Sequence, residues 1–285
     1  MNCQVCNHSE WEERYNGTLL KCSNCGFVTA NMEISSDELN SLYSEKYFKG
    51  EEYLDYIADK KFIQKNFKKR LKRVEKLHSD ISNVLEIGCA YGLFAELITQ
   101  MYPNINYLGI DVSADAIDYA SSHFKLNVKC VDYLKLSTDQ SYSDIFMWDV
   151  IEHLPEPSKV IKKASEELKP GGFIHITTGN IDALVPRWQK QKWRLIHPPS
   201  HLHYFSKGTI TRLLSESGFE IVKVSHPTIY RSVRQIYYSL FLLNNLNQKG
   251  FSYKLKIQVY KWIPAGFSVS INTFDIMFVT ARKIS

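Results

Sequence analysis

The sequence predicts an α/β chain, with a mostly parallel sheet covered by helices on both faces and a small metal-folded module before it. Three observations carry that prediction. An apolar run, Val84-Leu85-Glu86-Ile87, enters the small-residue turn Gly88-Cys89-Ala90-Tyr91-Gly92 and then a helical stretch, Leu93 to Met101. Beyond it, strand and helix patterns alternate, which implies parallel strands joined by helical crossovers. Four of the six cysteines stand near the N-terminus as C-x2-C-x15-C-x2-C: Cys3, Cys6, Cys22 and Cys25.

From the N-terminus, the first element is this cysteine module, residues 1–30. Two C-x-x-C knuckles let four thiolates converge tetrahedrally on one zinc ion, and Gly26 suits the tight second knuckle. So short a segment cannot bury enough apolar surface to fold unaided, so the metal would supply its folding energy. Four cysteine ligands leave no open position, which makes such a zinc structural. Two disulfides, an iron–sulfur site or a redox C-x-x-C are the alternatives. Residues 31–80 follow as a Tyr-rich cap (Tyr43, Tyr47, Tyr53, Tyr56) and one basic amphipathic helix. In that helix Phe62, Ile63, Phe67, Leu71 and Val74 recur at helical spacing among Lys60, Lys61, Lys65, Lys68, Lys69, Arg70, Lys72, Arg73 and Lys76. Its basic face is simply solvated, or it meets RNA, an acidic carrier or a membrane surface.

The turn at 86–92 lets the backbone pass close to a ligand, and the helix amides behind it favour a negative group. Asp111, at the tip of the next strand (Tyr107 to Ile110), stands 25 positions after Glu86. An acid there can accept both hydroxyls of a ribose. A dinucleotide site wants a glycine where Leu93 stands, and it has no call for Glu86 two residues before the first glycine. A bare strand–helix corner is the alternative without a ligand.

The E-x-G-x-(G/A)-x-G pattern resembles motif I of class I S-adenosylmethionine-dependent methyltransferases, and Asp111 matches their ribose-binding acid. Further similarity lies in Val131-Asp132-Tyr133, Asp144 to Asp149 with Val150-Ile151-Glu152-His153-Leu154, and Leu168 to Ile176. Ser206 can cap a helix carrying Ile210, Leu213 and Leu214 on one face, with Gly218 closing it. Phe219 to Val224 and Asp275 to Ala281 read as the last two strands. The resemblance covers roughly residues 80–285, about 70% of the chain. It implies a Rossmann-like sheet of seven strands with the last antiparallel. It also implies a methyltransferase domain over 81–285, with substrate-covering insertions at about 179–205 and 228–270. Within the second insertion Val233, Ile236, Tyr237, Leu240 and Phe241 mark a helix, while Lys254 to Ile263 fits both helix and strand periods. The implied cofactor contacts are Glu86, Gly88, Cys89, Ala90, Tyr91, Gly92, Asp111, Val112, Asp132, Tyr133 and Asp149. In zinc-ribbon methyltransferases a similar Tyr-rich segment folds over the cofactor, which would add Tyr43 and Tyr47.

The sulfonium methyl is already activated, so the protein must align an acceptor and remove a proton. His201-Leu202-His203-Tyr204-Phe205-Ser206 resembles a histidine segment before Tyr-Phe-Ser in zinc-ribbon deoxysugar C-methyltransferases, which makes His201 the expected base, with His203 and Tyr204 beside it. Ser200 stands where those enzymes usually carry an acid, and their long C-terminal domain is missing. Both departures favour an O-methyl acceptor. Asp149-x-x-Glu152-His153 resembles the Glu-x-x-Glu-His motif that binds Mg2+ in ubiquinone-pathway O-methyltransferases and small-RNA 2′-O-methyltransferases, with Asp for the first Glu. Hard oxygen ligands suit that ion, but similar text in family members without a metal caps the fourth strand and packs the cofactor edge. Trp188, Trp193, Arg187, Lys190, Lys192 and Arg194 suit a roof over a sugar ring bearing phosphate.

Composition agrees with a cytoplasmic enzyme. The chain has 285 residues and 44% apolar content, and no signal-peptide pattern opens it. The apolar stretch around Ile236 to Leu243 is too short to span a bilayer, which leaves only peripheral membrane contact. A formal charge of +5 falls to about +3 once four thiolates and a zinc ion are counted. The expected function is methyl transfer, O-methylation first, to a small carbohydrate-type acceptor. An RNA methyltransferase using ribbon and basic helix is the rival enzyme, and a non-catalytic cofactor-binding protein is the other alternative.

Overall fold

The computed structural model describes residues 1–32, 34, 38, 57, 59–242, 251–264 and 266–284. The Tyr-rich segment with Tyr43, Tyr47, Tyr53 and Tyr56 lies outside the described residues. Strands β1 (Trp11–Arg14), β2 (Leu19–Cys22) and β3 (Val28–Ala30) form the cysteine ribbon. Helix α1 (Lys60–Val74) follows, then β4 (Asn83–Ile87), α2 (Leu93–Met101), β5 (Asn106–Asp111), α3 (Ala114–Phe124) and β6 (Val128–Cys130). Strand β7 (Tyr142–Trp148), α4 (Pro157–Glu167), β8 (Leu168–Gly179), the short α5 (Leu184–Gln189) and the two-residue β9 (His203–Tyr204) come next. The chain continues through α6 (Lys207–Glu216), β10 (Phe219–Ser225), β11 (Ile229–Ser232), α7 (Val233–Phe241), α8 (Phe251–Trp262), β12 (Ser268–Ile271) and β13 (Ile276–Lys283).

Seven strands make one sheet in the order β10-β13-β8-β7-β4-β5-β6. Every pairing among β6, β5, β4, β7 and β8 is parallel, while β13 runs antiparallel to both of its neighbours, as expected. Helices on both faces explain why the central strands read as unbroken apolar runs. On one face Leu85, Ile87, Ile145, Met147, Ile174 and Ile176 pack with Val160 and Ile161 of α4 and Ile210 and Leu213 of α6. On the other, Val84, Phe146, Trp148 and Phe278 meet Phe94 and Ile98 of α2 and Phe67, Leu71 and Val74 of α1. Ser206 caps α6 through the Thr209 N–H, in a reciprocal capping box.

Some expectations needed correcting. The Val131-Asp132-Tyr133 stretch lies just past β6, which ends at Cys130, and Asp132 turns the chain there by accepting from the Leu134 N–H at 2.9 Å. Lys254 to Trp262 is helical, part of α8. Arg70 does not belong to the solvated basic face; it is buried with Phe67, its guanidinium 5.3 Å from the Trp148 ring centroid. The ribbon is not a free appendage, since β9 extends it to a four-stranded sheet, with Thr29 opposite His203 and Val28 opposite Tyr204.

Order reverses at β4: the chain leaves it towards β5 and later crosses back to β7 on its other side. At such a switch point the strand ends part to leave a crevice. Gly88 and Gly92 bound the turn that lines it, with φ of 76° and 74°. A Cβ on Gly88 would fall 2.4 Å from Val150 Cγ2. Gly88→Ala should therefore lower the unfolding free energy by about 1–3 kcal/mol through backbone strain and overpacking. Adding Val150→Ala should recover part of it. Urea midpoints read this, and an unperturbed single variant contradicts the steric account.

Candidate active site at the carboxyl ends of the strands

Asp111 closes β5 beside the turn. One carboxylate oxygen accepts from the Ala90 N–H at 2.8 Å and the other from the Ser113 N–H at 2.9 Å. Each oxygen keeps a further lone pair, enough for two neighbouring hydroxyls of a ligand. Burial raises the Asp111 pKa, while the backbone donors Ser113 and Ala90 oppose the rise. Val112, next in the chain, stays 38% exposed at the rim, an apolar surface available to a flat ring.

Glu86 lies underneath, not in the opening. It is buried and accepts a hydrogen bond from the Tyr107 hydroxyl on the neighbouring strand. Burial pushes its pKa up to about 8, against the Tyr107 hydrogen bond. Cys89 and Tyr91 are buried too, Tyr91 edge-on to Tyr119 at 5.1 Å. Tyr133 is withdrawn into the core, where its hydroxyl donates to Glu167 at 2.7 Å. Only its backbone is left for the crevice. Near the carboxyl ends of these strands Gly88, Ala90, Asp111 and Asp132 stay half-buried, and Val112 and Asp149 are exposed.

Asp149 has φ of 57° at the end of β7 and donates its N–H to both oxygens of Thr177 at 3.0 Å. Its carboxylate lies 3.7 Å from buried Arg70. Sequence reading missed Arg70 as a site residue, although its phase with Phe67, Leu71 and Val74 puts it on the inner helical face.

After Asp149, one 3-10 turn (Ile151–His153) brings Glu152 and His153 against the distant His201. One ligand atom from each of Glu152, His153 and His201 lies within 4.8 Å of the others. The His153 Nδ1 sits 2.7 Å from the Ser200 carbonyl and the His201 Nδ1 2.9 Å from that of Leu195. Only a protonated nitrogen can donate to a carbonyl, so the neutral His201 tautomer bonded to Leu195 carries its lone pair on Nε2. One buried oxygen of Glu152 has no hydrogen-bond partner among the described residues. Burial, then the charge of Asp149, lifts the Glu152 pKa to about 8. Burial lowers His153 to about 4 and holds His201 well below its usual value, with the His153 and His197 imidazoles adding to the second effect. Burial thus favours the neutral form of the His201 ring, as it does for His153.

His203 and Tyr204 are corrections. They form β9 inside the ribbon interface, where the His203 Nδ1 meets Thr29 Oγ1 at 3.0 Å and the Tyr204 hydroxyl donates to the His201 carbonyl at 2.9 Å. Neither faces the crevice. Trp193 is likewise buried, its indole donating to Asp275 at 2.9 Å, and Arg194 pairs with the same carboxylate at 3.2 Å. Trp188 is 82% exposed. At the N-terminus the four sulfurs of Cys3, Cys6, Cys22 and Cys25 converge, with 3.6 Å across Cys3–Cys25 and Cys6–Cys22. Tetrahedral thiolates around zinc stand about 3.8 Å apart, given Zn–S bonds near 2.3 Å. A disulfide needs about 2 Å.

Strand order, turn and acid define a class I S-adenosylmethionine-dependent methyltransferase sheet. A family model described as a methyltransferase domain matches residues 53–224, and the chain belongs to that family. It is 28% identical over 157 residues to the ubiquinone biosynthesis O-methyltransferase of Coxiella burnetii, covering 48% of this chain and 66% of that protein. A namesake from Thiobacillus denitrificans is 24% identical over 176 residues, 54% of this chain and 71% of that one. The chain spans from 44% to 66% of the length of the first such relatives. In fold it is similar to a methyltransferase from Archaeoglobus fulgidus, with TM-score 0.52 and 21% identity over 80% of this chain and 99% of the other. It is also similar to the plantazolicin methyltransferase in complex with S-adenosylhomocysteine, with TM-score 0.54 and 16% identity over 81% and 88%.

Acid should weaken the ribbon interface. Burial lowers the His203 pKa from 6.5 to about 4. The unfolded chain thus takes up a proton that the folded chain refuses. This contribution is intact above pH 6.5 and is lost as pH falls towards 4, at most about 3 kcal/mol. Thermal unfolding of His203→Gln should show a shallower loss over that window than the unaltered chain. Parallel profiles remove His203 from the account.

Proposed function

We propose that this protein transfers the methyl group of S-adenosylmethionine to a hydroxyl of a small, carbohydrate-type acceptor, assisted by a divalent cation. The convergence of Glu152, His153 and His201 next to the Asp111 crevice carries this reading. S-adenosylmethionine would supply a methyl group already activated on sulfur. Asp111 would accept the two ribose hydroxyls, Asp132 the adenine amino group, and the Gly88–Gly92 backbone would let the amino-acid tail approach closely. Arg70, 3.7 Å from the Asp149 carboxylate, would hold that side chain in place beside the cofactor.

A Mg2+ or Mn2+ ion held by Glu152, His153 and His201, with Asp149 in reach, would act as a Lewis acid on the acceptor hydroxyl. The donor set fits in kind: two imidazoles and a carboxylate with one buried oxygen that has no hydrogen-bond partner among the described residues. These residues would orient the hydroxyl in line with the methyl group, and the apolar surround would exclude water. On this reading His201 is a cation ligand rather than the general base expected from sequence. A structural zinc on the four cysteines accords with their sulfur spacing. The names of the relatives support O-methylation, and a phenolic acceptor of the ubiquinone-precursor type is the second reading.

Asp111→Ala should weaken cofactor binding roughly a hundredfold by calorimetry, since two charge-assisted hydrogen bonds are lost. Unchanged affinity would end the cofactor assignment. Turnover should be tested on sugar, phenol and RNA acceptors. It should vanish in EDTA and return with Mg2+ or Mn2+, and His201→Ala should cut it by roughly two to three orders of magnitude while cofactor affinity holds. Full turnover in EDTA eliminates the cation, and turnover on RNA alone overturns the acceptor.

A further inference from the structure

A cavity of about 800 Å³ lies between the ribbon and the segment after β8, sharing no lining residue with the cofactor crevice. Arg14 and Lys21 enter from the β1–β2 hairpin, and Arg187 and Lys190 from α5 and the turn after it. Against these four cations stand Asp182 and the Cys25 sulfur. None of the four forms an ion pair with a described residue; Arg14 only stacks on Tyr15, 5.4 Å from the ring centroid. Lys190 holds φ 52° and ψ −127°, a backbone region that favours glycine, at the cavity edge.

These cations come from sequence positions more than 160 residues apart, so only the docking of ribbon on β9 brings them together. Four cations against one carboxylate and one sulfur leave an excess of positive charge in a concave site, and a matching anion lowers that potential. Guanidinium groups add the planar geometry that suits phosphate oxygens. The volume falls within the roughly 300–1,000 Å³ of small-molecule sites, whereas a nucleic acid strand is met along an extended stripe.

We propose that this cavity binds the phosphate or diphosphate group of a small molecule, placing the methyl acceptor in the class of phosphorylated or nucleotide-linked carbohydrates. The identity of that molecule as acceptor rests on the methyl-transfer reading; the binding of the anion does not. Calorimetry on the full zinc-loaded chain tests it, with inorganic pyrophosphate, UDP-glucose, methyl glucoside and a short polyuridylate RNA as probes. Pyrophosphate and UDP-glucose should bind saturably below about 1 mM and methyl glucoside should not. Arg14→Gln with Arg187→Gln should weaken both at least tenfold. S-adenosylmethionine affinity, measured on the same sample, should be unchanged. If that double variant misfolds, the exposed Lys190→Gln alone should still weaken pyrophosphate binding. Absent binding, binding indifferent to these substitutions, or polyuridylate displacing pyrophosphate overturns the proposal. Pyrophosphate binding without S-adenosylmethionine binding sustains the anion site and removes the methyl-transfer reading instead.

Discussion

The peptide group of Leu202 is the joint on which the candidate site depends. Its N–H donates to the Glu152 carbonyl at 2.9 Å, and its own carbonyl accepts from the Ala30 N–H at 2.8 Å and from Thr29 Oγ1 at 3.0 Å. One residue thus ties the ribbon to the turn after β7, with His201 on one side and His203 on the other. Strand β9 has two residues, far too few to hold a position alone. The ribbon that pairs with it is itself too small to fold on apolar burial. A metal on the four cysteines would therefore order the ribbon, the ribbon would order β9, and β9 would fix where His201 meets His153 and Glu152.

The cofactor side rests on a different constraint. Parallel strands buried on both faces leave little freedom in register, so Ile87 and Ile110 deliver the turn and Asp111 to the same edge. Glu86 points to the face shared with Tyr107, and the two polar groups satisfy each other inside that layer. Burial raises the pKa of Glu86, so little negative charge is favoured under Asp111. The turn is held by the Tyr107–Glu86 hydrogen bond from below and by the hydrogen bonds of Ala90 and Ser113 to Asp111 from above.

What the sequence made legible follows period and spacing. Helix α2 over Leu93–Met101, the switch-point turn, Asp111 and the antiparallel final strand can all be read from local pattern and resemblance. So can the cysteine quartet. Helix α8 was ambiguous because apolar residues recur on all its sides, leaving no single phase to read. Arg70 was misjudged by its charge: its phase with Phe67, Leu71 and Val74 was readable, but it was grouped with the cations around it rather than placed on the buried face beneath Trp148. His203 and Tyr204 were misjudged because β9 exists only by pairing with β3, a contact that spans 174 residues from Thr29 to His203. The lysines and arginines around the cavity fall under the same limit, since no local window contains both of its walls.

That single interface has two chemical consequences. On one side of β9 it closes His201 beside the imidazoles of His153 and His197, where burial disfavours its charged form. On its other side it juxtaposes Arg14 and Lys21 with Arg187 and Lys190. Loosening the ribbon would thus degrade the anion cavity and the His201 position together, although no residue belongs to both. A module that only tethered nucleic acid would have no need to contribute a strand to the segment bearing His201. The ribbon is structurally one wall of the segment that carries His201, because its β3 pairs with β9 just beyond that residue.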